Sequence, residues 1–140
     1  MTDRHGDLQR RCNTIEEGYE LMLAYAAQGL SSEAGSQSGG QLREFLTRAA
    51  VAVTGIGDAF TALIEHESLE PAARYRAAGA VLDRDARDSL AAIDLVLAQP
   101  SISSQLIDNL NASIHLRALL TDLFLIDELL KSQPTPTRAE

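Results

Sequence analysis

Between Ser103 and Lys131 the apolar residues fall into two rows, each at the three- and four-residue steps that return to one face of an α-helix. The first row is Ile107, Leu110, Ile114, Ala118, Leu125 and Leu129, with Thr121 as its polar break. The second is Leu116, Leu119, Leu123, Ile126 and Leu130, on nearly the opposite side and confined to the second half. Read as one continuous helix, this segment must be covered on two sides. From Gln41 to Glu67, Leu42, Leu46, Ala49, Val53, Ile56, Phe60 and Leu63 recur at alternating steps of four and three, a heptad seam suited to shallow helix packing. Gly55 and Gly57 interrupt that seam, and each costs roughly 1 kcal/mol against alanine in a helix interior. The interruption predicts a kink or a closely approaching neighbour, in preference to a backbone opening for a ligand. From Pro71 to Ala98 the same spacing selects Ala72, Tyr75, Gly79, Leu82, Ala86, Leu90, Ile93 and Leu97. A shorter helix is expected to start at Thr14, with Glu17 completing a capping box, to bury Ile15, Tyr19, Met22 and Ala26, and to end at Gly29.

The punctuation between these runs sets the topology. Pro71 suits a first helical turn, and Pro100 followed by Ser101 or Ser103 leaves a connection short enough only for an antiparallel neighbour. Residues 31 to 40, SSEAGSQSGG, read as a slack linker open to proteases. Residues 1 to 13 read as a mobile arm and 132 to 140 as a disordered tail, flanking one helical domain over 14 to 131. The expected fold is all-α: an up-down-up-down four-helix bundle with a short first helix and three long ones.

Composition supports that reading and narrows the partners. The chain has 140 residues, 45% hydrophobic and rich in unbranched side chains, enough for a single core. A net charge of −8 works against a nucleic-acid backbone, whose binding is driven by Lys and Arg displacing counterions. No membrane partner is expected either, because Arg117, Asp122 and Asp127 interrupt the most apolar stretch and the N-terminus lacks a secretory core. These features point to the cytoplasm. Cys12 stands alone, so a disulfide within the chain is excluded; Arg10 and Arg11 beside it are the groups able to activate a thiol, although a bystander role suits a terminal position better.

Catalytic chemistry is thinly represented. Asp108, His115 and Asp122 are spaced by seven, which places them on one helical face with Asn111 beside them. A histidine between carboxylates suits a divalent metal or a proton relay. Residues seven apart on a straight helix stand about 10 Å from each other, however, so other helices, through Asp58 or Asp88, must complete such a site, and a solvated polar face is the simpler reading. The Glu-x-x-His pairs of a di-iron bundle are missing, no nucleophile has a placed base, and the Asn111-Ala112-Ser113 sequon lies within a helix. The function expected from these residues is non-enzymatic, with no cofactor: an accessory, adaptor or chaperone-like bundle that binds itself and another protein. The alternative is a metal- or ligand-dependent bundle built on Asp108, His115 and Asp122. The second row, Leu116, Leu119, Leu123, Ile126 and Leu130, is expected to form a homodimer face unless the first helix covers it.

Overall fold

The first helix, α1 (Arg4–Ala27), starts at Arg4, not at Thr14. Asp3 caps it by accepting from the Gly6 amide at 2.8 Å. Leu8 and Cys12, four apart and in phase with Ile15, are buried, which overrides the polar character that made residues 4 to 13 read as an arm. Arg11 supplies a second anchor: its Nη1 donates to the carbonyls of Ala52 and Thr54 at 3.0 and 2.8 Å, while Asp7 holds its Nε at 3.1 Å. Arg11, one of the three arginines of the supposed arm, is therefore part of the packing.

This computed structural model describes residues 3–35 and 37–132, and among them the chain is all-α. After α1 come a 3₁₀ turn (Glu33–Gly35), α2 (Gln37–Val53), α3 (Ile56–Glu67), α4 (Ala72–Leu97), α5 (Ser104–Asn111) and α6 (Ile114–Lys131). Six helices stand where four were expected, because two of the three anticipated long helices are each divided. The first division falls at Gly55, whose φ of 77° ends α2 in the left-handed region that glycine tolerates and turns the axis of α3 by 42°. At Gly57 the second anticipated cause also operates: a Cβ there would lie 2.5 Å from Asp83 Oδ1. The second division separates α5 from α6 at Ala112 and Ser113, in a run containing Asn109, Asn111 and Ser113, side chains that compete with the helix for backbone hydrogen bonds.

The two undivided helices organise the rest. Helix α1 packs chiefly against α2 and α5, and α4 against α3 and α6, with α2 also touching α4 and α3 touching α1. The core runs through Ile15, Tyr25, Leu46, Phe60, Leu82 and Leu119. Residues 31 to 40 do not behave as a slack linker in the part described. The Glu33 carboxylate accepts the Ile102 amide at 2.8 Å and pairs with Arg43, which donates onward to the carbonyls of Leu97 and Gln99 at 2.9 and 2.6 Å. Burial alone would raise the Glu33 carboxyl, but the Ile102 amide and Arg43 outweigh it and hold the group below its ordinary value.

A second polar clasp lies beside the first. Tyr25, fully buried, donates its hydroxyl to the Ile102 carbonyl at 2.6 Å. Ser104 donates to the Tyr25 carbonyl at 2.6 Å and accepts from the Leu30 amide at 2.8 Å, and the Ser104 amide donates to the Leu30 carbonyl at 2.8 Å. Ser103 is the N-cap of α5, accepting from the Leu106 amide at 3.0 Å, one of the two caps expected there. No single helix among the described residues is long and apolar enough to cross a membrane. The bent α2–α3 pair meets that test only when joined, and its row of Leu42, Leu46, Val53, Ile56, Phe60 and Leu63 is buried in protein. The tail expected over 132 to 140 lies, beyond Ser132, outside the described residues.

Candidate functional site

The residues with the most suggestive chemistry lie where α4 meets α6. Ser89, buried on α4, donates to the His115 carbonyl at 2.9 Å and ties the first turn of α6 to that helix. Above this tie His115 Nδ1 stands 3.7 Å from Asp88 Oδ2, both side chains about half exposed. Two turns on, Asp122 meets Asp85. Its Oδ2 is enclosed with no hydrogen-bond donor in reach, because two carboxylates have only acceptors to offer each other. Burial first, then the hydrogen bond and charge of Asp85, push the Asp122 carboxyl up to about 7. A proton held between the two carboxyls would supply the donor this pair lacks.

Asp108 takes no part in this arrangement. It is exposed on α5, beyond the division that puts α6 out of phase with it. Of the three residues expected on one face, His115 and Asp122 share the α4 side of α6, each with its own carboxylate partner, and Asp108 is separate. Asp88 is one of the residues expected to contribute from another helix; Asp58 instead lies near Arg87, which Asp83 holds at 2.9 Å. Among the described residues no three His, Cys, Asp or Glu side chains gather closely enough to hold a metal ion. Asn111, expected beside the polar face, is 7% exposed, and neither its Nδ2 nor its Oδ1 has a hydrogen-bond partner. Cys12 is no reactive thiol: burial, then the charges of Asp127 and Glu16, push it up to about 12.

The face expected to hold a second copy is in the chain's own core. Leu116, Leu119, Leu123, Ile126 and Leu130 are all buried, Leu119 completely. The expectation fails because it took residues 103 to 131 as one helix. With the division at Ala112 and Ser113, the buried face of α5, carrying Ile107 and Leu110, continues into the second row on α6 and not into its own row. The far end of the first row is thereby turned outward: Ile114 is 75% exposed, Leu125 59% and Leu129 42%, with Phe124 beside them at 55%. Sequence reasoning missed this face, although the cluster of helix-poor residues at 109 to 113 was the signal for it.

One further concavity lies between α1 and α2, an open groove of about 370 Å³ lined by Arg10, Arg11, Arg48 and Val51 among others. Arg11 is occupied by Asp7 and the end of α2, and Arg48 by Glu44 and the face of Phe45, so two of these three cations are committed to the fold. Compared with known proteins, the chain matches no family model, no curated sequence and no solved structure.

Proposed function

We propose that this chain is a non-enzymatic protein–protein interaction module, an accessory or chaperone-like helical bundle of the cytoplasm that associates with itself and holds another protein. In this reading the six helices act as four rods, two continuous and two bent. The observation that carries it is the outward face of α6. Eight large apolar side chains stay exposed among the described residues, and half of them, Ile114, Phe124, Leu125 and Leu129, lie on this one helix of 18 residues. Scattered exposed leucines are ordinary, whereas several aligned on one helix mark a contact surface. The polar groups near it support binding more than chemistry, since His115 and Asp122 are each engaged with a single carboxylate on α4.

Sedimentation velocity over a range of concentrations tests the reading. A mass that rises with concentration supports it, and a monomer at every concentration up to several hundred micromolar refutes self-association. Leu125→Glu supplies the control, because this exposed position lies outside the core and the variant should keep the wild-type helix content while losing association.

A further inference from the structure

We infer that the outward face of α6 pairs with the same face of a second copy, antiparallel about a two-fold axis at Thr121, with Arg117 of each chain set against Glu128 of the partner subunit. This deepens the self-association proposed above and rests on it.

The face has a sequence pattern that reads the same from both ends. Ile114, Ala118, Thr121, Leu125 and Leu129 form one row along α6 at steps of three and four. Run antiparallel against itself, the row sets Ile114 against Leu129, Ala118 against Leu125 and Thr121 against its own copy. Each end pair is large on large, and the next pair fits a small side chain against a large one. Thr121 is the only polar member, and its hydroxyl already donates to the Arg117 carbonyl at 2.9 Å, so it enters the contact with its hydrogen bond made. The α4 and α1 sides of the helix are occupied: His115 and Asp122 face Asp88 and Asp85, and Asp127 holds Lys131 at 3.0 Å while its charge reaches Cys12.

Charge decides the direction and the occupant. Arg117 and Glu128 flank the row on the same side, on the edge that also carries Phe124, and neither has an ion pair among the described residues. In a parallel pair one edge of the row faces the opposite edge of the partner, so Arg117 and Glu128 do not meet. In an antiparallel pair same-side positions face each other, so Arg117 meets Glu128 twice, once at each end of the seam. Opposed helix dipoles favour the same direction. A face whose apolar row and flanking charges both satisfy one two-fold operation fits a second copy. The seam from Ile114 to Leu129 is about 23 Å long at 1.5 Å per residue, which places it at the small end of stable interfaces.

The test is charge exchange followed by sedimentation equilibrium. Arg117→Glu and Glu128→Arg should each weaken association at least about tenfold with unchanged helix content and melting temperature, since both side chains are exposed. Mixed in equal amounts, the two variants should recover association as a heterodimer, because every facing pair then joins Glu to Arg. The double exchange in one chain should recover it as well. A dimeric wild type whose association is indifferent to the exchanges, or single variants that do not recover on mixing, overturns the antiparallel seam and leaves self-association standing. A monomeric wild type removes both. Loss of helix content in a single variant would place these side chains in the fold and also overturn the assignment.

Discussion

Replacing Asp122 by Asn should flatten the fall in stability that the wild type shows between mildly acidic and mildly basic pH. In the folded chain the Asp122 carboxyl, enclosed against Asp85, keeps its proton up to about 7, whereas the ordinary value from which it is raised is 3.8. Below the lower value both states are protonated and the pair carries no penalty. As pH rises from there, the unfolded chain releases the proton first, the folded chain binds more protons than the unfolded one, and stability declines until the folded group has also titrated. A gap from 3.8 to about 7, at about 1.36 kcal/mol per pH unit, sets a ceiling of about 4 kcal/mol. Water reaches the half-buried pair and screens it, so a decline of about 1 to 2 kcal/mol is the working figure. Asparagine keeps the size of the side chain and brings a permanent donor for Asp85. The variant should therefore match the wild type near about pH 4 and exceed it by about 1 to 2 kcal/mol near about pH 8. Urea unfolding followed by circular dichroism at a series of pH values measures this directly. Taking the difference between the two chains cancels the contribution of the oppositely directed Glu33. Parallel stability curves for variant and wild type would refute a shared proton at this seam.

Glu33→Ala leaves the Ile102 amide and part of Arg43 without an acceptor and should cost about 2 to 3 kcal/mol in denaturant unfolding; because the folded Glu33 carboxyl lies below its ordinary value of 4.5, its contribution is present above that value and lost as pH falls below it. Asn111→Leu replaces a buried amide that lacks partners by an apolar side chain of similar size, and calorimetry should show a gain of about 1 kcal/mol; a loss would mean that the amide is satisfied in solution. Leu119→Ala, at a fully buried position, should cost about 2 to 5 kcal/mol and leave any remaining dimer assembled, whereas a loss confined to association would return this residue to the interface. Melting temperature should be indifferent to chelator and to added Zn, Mn, Fe or Ni; a metal-dependent rise would favour the alternative built on His115 and Asp122.

The apolar periodicity carried the class of the fold and much of its interior, because helix faces follow from spacing alone. Leu42, Leu46, Phe60, Leu82 and Ile93 were all identified as inward from their steps and are buried. What spacing does not encode is where a helix stops when the residues that stop it are few and polar. Gly55 and Gly57 announced the first division, since glycine is costly within a helix. The second rested on Asn109, Asn111 and Ser113, each tolerable singly, and overlooking it reversed which face of α6 is inside. The start of α1 was misplaced for a related reason: Arg11 counts as polar in a pattern, yet it is spent on the exposed carbonyls at the end of α2. The clasps of Tyr25, Glu33, Arg43 and Ser104 are long-range pairings of common residue types, and no local pattern marks them. At the candidate site, the seven-residue spacing located His115 and Asp122 on a common side and Asp88 was among the carboxylates expected from another helix, but Asp85 beside Asp122 follows only from the packing.

The clasp between the end of α1 and the start of α5 has a topological meaning. Tyr25 reaches Ile102 and Leu30 reaches Ser104 across 77 and 74 positions of chain, so these bonds close a loop that contains α2, α3 and α4. Such a closure has an entropic cost that grows only slowly with length, and once made it keeps three helices from drifting apart. Helix α6 lies outside the loop, joined to it by the core row and by Ser89. The molecule is thus a loop of chain closed where the end of α1 meets the start of α5, with α1, α5 and α6 outside it, and α6, the helix proposed to meet a second copy, joins the loop away from that closure.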